Sequence, residues 1–214
     1  MAAGVLLSRR RSDAPGGVSD ADGAAHAQRR HSGAGGGGGD RGQRRAGEDL
    51  LLTHECAGVV ESVNVSDGGV PKRAVARARV TPAGVAGDRQ RDLRHHGGEG
   101  RALCLYAAEL LDALRAEGHP IGAGAAGENL TVRGVPWAAM TVGARFRAGT
   151  VEGEITGYAH PCDNLRPYFT DAEFTRISQK LHPGWSRVYA RVLRGGEVAP
   201  GDAIVVTGGG PEAA

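Results

Sequence analysis

The segment His160-Pro161-Cys162-Asp163-Asn164 holds the side chain best suited to chemistry. A cysteine placed after proline, on a loop that follows a strand-like run, is held rigidly and within reach of solvent. Its thiolate is a nucleophile and a soft ligand suited to zinc, copper or molybdenum. Three further clusters stand out. Gly87-Asp88-Arg89-Gln90-Arg91-Asp92 is dense in charge, and His95-His96-Gly97-Gly98-Glu99 follows it directly. Two glycines at a helix entrance let main-chain N–H groups approach an anion such as phosphate, although the same pattern also serves a solvated loop. Gly127-Glu128-Asn129-Leu130-Thr131 either orients a ligand or satisfies the backbone of a tight turn.

The remaining reactive residues exclude several chemistries. The cysteines are Cys56, Cys104 and Cys162, with no C-x-x-C pair, so neither a structural zinc site, a Cys₄ iron–sulfur cluster nor a disulfide framework is expected. The lysines are Lys72, in a Gly-Pro-rich turn, and Lys180, near the end of a predicted surface helix. A covalent pyridoxal phosphate site needs a lysine in a pocket, so that role is not expected.

Positioning these segments falls to a chain that reads as mostly β. Cys56–Val65 and Ala74–Val80 alternate as strands. Short strand-like pieces follow at 129–132, 144–148, 151–156, 187–193 and 203–206, separated by glycine turns. From Arg101 to Gly118, Leu103, Tyr106, Leu110, Ala113 and Leu114 recur at helical spacing, with Gly118 as C-cap. That reading places Cys104 inside a helix as a small buried hydrophobe. Thr170-Asp171-Ala172-Glu173 has capping-box spacing ahead of Phe174, Ile177 and Leu181, which predicts a second helix. Many short strands with regular turns point to a closed barrel. Within it, Val142-Gly143-Ala144-Arg145-Phe146 is echoed by Pro200-Gly201-Asp202-Ala203-Ile204, a hint of internal pseudo-symmetry.

Composition sets the outer limits. The chain has 214 residues, 40% hydrophobic, enough for one domain, and 4% aromatic, so small aliphatic side chains must do the packing. The excess of arginine over lysine fits GC-rich codon usage. No apolar run approaches a membrane span. Residues 1–49 carry eight arginines, six acids and the run Gly35–Gly39, but no aromatic residue, and read as a disordered tail. Ser8-Arg9-Arg10-Arg11 lacks a following apolar stretch, so export is not expected and the cytoplasm is. The whole formal charge of +2 lies in that tail. Residues 50–208 read as the barrel domain, and the neutral balance of residues 50–214 argues against nucleic-acid binding. Residues 209–214 read as a flexible C-terminus.

Taken in order, these segments resemble the MOSC domain, the family named for the C-terminal domain of molybdenum-cofactor sulfurases. The likeness runs from Gly58 to Val206. It rests on Gly87-Asp88, on Asp92-Leu93-Arg94-His95-His96-Gly97-Gly98, on Gly127-Glu128-Asn129-Leu130-Thr131, on Pro161-Cys162 and on Gly201-Asp202. The short architecture is similar to the small stand-alone bacterial members. The resemblance implies a mainly β, MOSC-like barrel with a few helices. It also implies that Cys162 sits where the family's cysteine ligates molybdenum in a molybdopterin-type cofactor or carries sulfur. His160 stands where many relatives have arginine before the Pro-Cys pair.

Under this resemblance the cofactor phosphate would be held by His96, Gly97 and Gly98 with Arg94 or Arg89. Asn129 and Asn164 would donate to the pterin, and His160 would supply a proton, as histidines do near neutrality. Three functions remain open on these grounds. One is a molybdenum-cofactor oxidoreductase that reduces N-oxygenated small molecules with electrons from a separate donor protein. The second is a sulfur-carrier or cofactor-delivery module using a Cys162 persulfide, and the third a binding module without chemistry.

Overall fold

A computed structural model describes residues 56–90 and 97–208. Its longest strand, β1 (Cys56–Val65), is bordered by three others because it is long and irregular. A register shift between Val60 and Ser62 bends it partway along. Next come β2 (Arg73–Val75), β3 (Ala78–Thr81) and β4 (Gly84–Val85), then β5 (Leu103–Ala107) leading straight into α1 (Ala108–Ala116). They are followed by β6 (Leu130–Arg133), β7 (Arg145–Ala148), β8 (Val151–Tyr158), β9 (Val188–Arg194), β10 (Gly196–Val198) and β11 (Ala203–Thr207).

The sheet runs β11-β7-β8-β9-β5-β6-β1 and closes where β1 pairs β11, giving a seven-stranded barrel with β2 attached to β1. Closure leaves those seven strands no open edge. Every pairing in the ring is antiparallel except β5–β6, which is parallel and is joined through α1. A separate three-stranded sheet, β10-β3-β4, lies beside it in the topology. Inside the barrel the packing is mostly aliphatic, from Val60, Val63, Leu103, Leu105, Val132, Ile155, Val188 and Ile204. Phe146 is the fully buried aromatic of that cluster. It packs against Gly153, its cross-strand partner on β8: a Cβ at position 153 would lie 2.5 Å from the ring.

The sequence echo is a real two-fold relationship. The Gly143 N–H donates to Ile155 O at 2.9 Å, while Ile155 N–H donates to Ala144 O at 2.8 Å. On the other side, Gly201 N–H donates to Val60 O and Val60 N–H to Asp202 O, both at 2.8 Å. The strands that follow these turns pair antiparallel with each other, Phe146 opposite Val206 and Ile204 opposite Ala148. The two units are thus matched residue for residue across a local axis.

Three expectations need correction. The helix predicted from Arg101 begins only at Ala108, and Leu103–Ala107 is a strand. All five of its residues are buried, because β5 has the barrel core on one face and α1 with the 165–177 segment on the other. A strand buried on both faces loses its alternation and reads as a continuous apolar run. The end of the helix is as expected. Gly118, at φ +94°, donates to Arg115 O, and His119 donates to Leu114 O, the two bonds of a Schellman cap.

The helix predicted from Thr170 is absent. The segment forms two short 3₁₀ turns, Thr170–Ala172 and Phe174–Ile177, with Asp171 and Ala172 in the left-handed region. Thr170 cannot cap a helix of its own because its hydroxyl donates to Gly118 O at 2.8 Å, at the end of α1. Phe169 and Ile177 still bury against α1, while Leu181 is 59% exposed. Finally, the single strand expected over Ala74–Val80 is two, since β2 pairs β1 and β3 pairs β10.

Candidate functional site

A cavity of about 520 Å³ opens where six stretches of chain meet: the segment after β1, the segment after β4, the start of β5, the loop before β6, the loop after β8 and the start of β9. Cys162 is in its wall and partly exposed, directly preceding the 3₁₀ segment Asp163–Tyr168. That loop is fastened on several sides. Ala159 N–H donates to Arg187 O at 2.9 Å, the Ser186 hydroxyl to Ala159 O at 2.9 Å, and Arg187 Nη2 to His160 O at 3.0 Å. The cysteine is therefore presented by a loop tied to the strand beginning at Val188.

Of the residues singled out from the sequence, Cys162, Asn164, Asn129 and Gly97 line this cavity together, as does Arg89. Gly98 is exposed beside it and is not in the wall. His160 is also exposed and outside the wall; what the structure uses of it is the main-chain oxygen. Arg94 and His96 lie outside the described residues, as do the tail 1–49 and the C-terminal 209–214.

Asn129 lines the cavity, but most of its hydrogen-bonding capacity is used inside the protein. Its Nδ2 donates to Asn64 O at 3.2 Å and to Asp88 Oδ2 at 2.9 Å, and its Oδ1 accepts from the Cys104 N–H at 3.2 Å. Glu128, fully buried, accepts at Oε1 from Gly124 N–H at 2.7 Å and from the Thr131 hydroxyl at 2.9 Å. Thr131 in turn accepts from Asn64, which accepts from Ser62. The Gly127-Glu128-Asn129 triplet thus buttresses the cavity from behind. Burial pushes the Glu128 carboxyl above the usual range.

Several wall residues were not anticipated: Lys72, Arg101, Cys104, Arg187 and Tyr189. Lys72, read as belonging to a Gly-Pro-rich turn, has a side chain 10% exposed that pairs at 2.5 Å with Asp88, whose side chain is 2% exposed. A lysine does therefore stand in the cavity, but its ammonium is committed to a buried carboxylate. Cys104, on a strand rather than a helix, borders the same space, and burial pushes its thiol up to about 11. Tyr189, its cross-strand partner, is pushed up to about 12, again mainly by burial.

The electrostatics are one-sided. Lys72, Arg89, Arg101 and Arg187 stand in the wall, and no carboxylate does among the described residues, although Lys72 is paired with Asp88 and Arg89 with Asp67. Arg101 also packs over the Tyr189 ring at 5.6 Å. An anionic small molecule suits such a cavity in both size and sign. Among the described residues no group of three or more His, Cys, Asp or Glu could hold a metal ion by itself.

Comparison with known proteins agrees with this geometry. The MOSC domain family matches residues 92–205, more than half of the chain. The uncharacterized protein YflK of Bacillus subtilis (strain 168) is 34% identical over 116 residues, covering 54% of this chain and 52% of that one. Protein YiiM of Escherichia coli (strain K12) is 29% identical over 111 residues, half of each chain. The chain thus spans about half the length of these relatives. The crystal structure of YiiM from Geobacillus stearothermophilus superposes with a TM-score of 0.55 at 26% identity, over 70% of this chain and 74% of that one. The YUAD protein of Bacillus subtilis, 17% identical with a TM-score of 0.55, shares the fold over 73% of this chain and 98% of its own.

Proposed function

This chain belongs to the MOSC domain family, and on that premise we propose that its cavity holds a molybdenum–pterin cofactor through Cys162 and reduces N-oxygenated small molecules. The observation that carries the reading is the wall itself: one reachable thiol in a wall that holds Lys72, Arg89, Arg101 and Arg187 and, among the described residues, no carboxylate, although Lys72 and Arg89 are ion-paired with Asp88 and Asp67. The phosphate of a pterin cofactor matches that charge, and a thiolate matches a soft metal. When bound, such a cofactor supplies two-electron oxygen-atom transfer.

The protein's own residues do the rest. Reduction of a hydroxylamine breaks its N–O bond, consumes two electrons and two protons, and releases amine and water. Tyr189 and Cys104 line the cavity and both hold their protons at neutral pH, so neither adds negative charge to the wall. The Arg187 bond to His160 O fixes the loop on which Cys162 sits. The electrons come from a separate donor protein, since three cysteines cannot supply a Cys₄ cluster. No helix among the described residues is long and apolar enough to cross a membrane, and we place the reaction in the cytoplasm.

The test is metal and pterin analysis of protein produced in a host that makes the cofactor, together with a hydroxylamine-reduction assay. Stoichiometric molybdenum, lost in Cys162→Ala along with the activity, is the expected result. A persulfide on Cys162 without metal would replace this reading by sulfur transfer, and neither would leave a binding module.

A further inference from the structure

The segment that leaves Cys162 forms one side of the cavity and is fastened at its far end by a histidine. Cys162, Asn164 and Leu165 line the space, while Leu165 and Phe169 share a buried cluster with Leu111 and Leu114 of α1. Just beyond, the Thr170 N–H donates to the ring Nδ1 of His119 at 3.2 Å, and the Thr170 hydroxyl donates to Gly118 O at 2.8 Å. The His119 ring leans on Phe169, with the ring centroids 5.0 Å apart. Its side chain is 9% exposed, so it cannot turn out to water without leaving that place.

The bond to Thr170 dictates the charge of the ring. A main-chain N–H only donates, so the nitrogen facing it must be bare and the imidazole neutral. Imidazolium carries a proton on both nitrogens, and turning it over brings a C–H to Thr170. No orientation of the charged ring accepts that bond. The charged ring has another partner, since Glu117 Oε2 lies 3.7 Å from His119 Nε2. Hydrogen bonds from Arg176, at 2.9 and 2.7 Å, hold the Glu117 carboxyl below its usual range, so it is ionised wherever histidines titrate. His182 acts on the same carboxylate through space. The other charged neighbours along the chain are Arg115 on α1, which reaches Ile121 O at 3.4 Å, and Asp171 and Glu173 on the 3₁₀ turns.

We propose that His119 is a pH-sensitive latch on the cavity wall. Neutral, it accepts from Thr170 and keeps the 163–170 segment against the end of α1. Protonated, it releases the Thr170 N–H and turns to Glu117. The start of the segment stays anchored, because Arg187 bonds His160 O and the Ser186 hydroxyl bonds Ala159 O. Acid therefore loosens the far end of the wall that carries Cys162, Asn164 and Leu165. The latch acts on the cavity of the proposed reaction but requires neither molybdenum nor a particular substrate.

The experiment follows ¹⁵N-labelled protein by NMR from about pH 8 to about pH 5, the span in which histidines titrate. The His119 ring resonances are assigned by their loss in His119→Phe. Hydrogen exchange at the Thr170 amide, corrected for its intrinsic pH dependence, is expected to quicken roughly tenfold or more, with the midpoint of the His119 ring. The amides of Asn164 and Leu165 should shift with that same midpoint. His119→Phe keeps a ring beside Phe169 but offers no acceptor, so its Thr170 should exchange quickly at every pH. His182→Gln should leave the transition in place. Thr170 protection that stays constant while His119 titrates, or a transition lost in His182→Gln, overturns the proposal. So do Asn164 and Leu165 amides that ignore the transition. Should His119→Phe fail to fold, His119→Gln supplies the assignment and the wild-type titration decides. A protein that shows the coupled transition but never takes up molybdenum would refute the proposed reaction and leave the latch standing.

Discussion

Cys104 and Tyr189 stand opposite each other on β5 and β9, and both line the cavity that contains Cys162. The two cysteines of this cavity thus have opposite characters. Cys162 is partly exposed on a loop, whereas Cys104 is buried in a central strand with its thiol pushed up to about 11.

That contrast predicts selective alkylation. At pH 7 a thiol with that value is thiolate in only about one molecule in ten thousand. Iodoacetamide on the native protein should label Cys162 and spare Cys104 until the chain is denatured or the pH approaches 11. Peptide mass spectrometry reads the ratio, and equal labelling at pH 7 would contradict the burial assigned to Cys104.

Lys72 and Asp88 should behave as a buried pair. Asp88→Asn removes the carboxylate that also receives Ser66 N–H and Asn129, leaving an uncompensated ammonium. A loss of about 3–5 kcal/mol in urea unfolding is expected. The double variant Lys72→Met/Asp88→Asn should lose clearly less than the two singles added together. Additive losses would show that the pair is not coupled.

Glu128 should lower stability as pH rises. Burial raises its carboxyl above the ordinary value of 4.5, so over the interval between the two values the folded state holds a proton that the unfolded chain has released. Unfolded chains then bind fewer protons, and stability declines as pH climbs through that interval. Glu128→Gln keeps an acceptor for Gly124 and Thr131 but cannot ionise. Relative to wild type it should gain stability as pH rises above the ordinary carboxyl value in denaturant titrations. A difference that stays constant with pH would place the charge elsewhere.

Gly153→Ala should cost about 1–3 kcal/mol, because the new Cβ would meet the Phe146 ring 2.5 Å away. Adding Phe146→Leu should return part of the loss. Thermal unfolding reads both, and an unaffected Tm for the single variant would mean that the ring moves aside freely.

Much of the barrel was legible because its signals are local. In β7 the outward Arg145 and Arg147 alternate with the buried Phe146 and Ala148, and in β8 the buried Val151 and Ile155 alternate with Glu152 and Glu154. A strand with one face in the core writes that period of two directly into the sequence. The repeated turn at Gly143 and Gly201 was visible for the same reason, since each turn is made by its own few residues. Cys162 and Asn164 were found because a cysteine on a loop after a strand needs no distant partner to be noticed. The failures fell where context overrode the pattern. Leu103–Ala107 lost its alternation to burial on both faces, and the Thr170 hydroxyl went to Gly118 instead of starting a helix.

By itself, then, the sequence determined those strands that have one face in the core, where they turn and which loop carries Cys162, because each depends on neighbours a few residues away. Tertiary structure alone decided what surrounds that thiol. Lys72, Cys104, Arg187 and Tyr189 come from stretches up to 117 positions apart and carry no shared local signature. They converge because β5 lies between β6 and β9, and because the loop after β8 is tied back to Arg187. Whether a charge is exposed or buried, and with which partner, is a property of that closure and not of the residue's near neighbours. For that reason Arg187 looked like an ordinary polar start to a strand, and only the closed barrel makes it a buried cation facing a cavity.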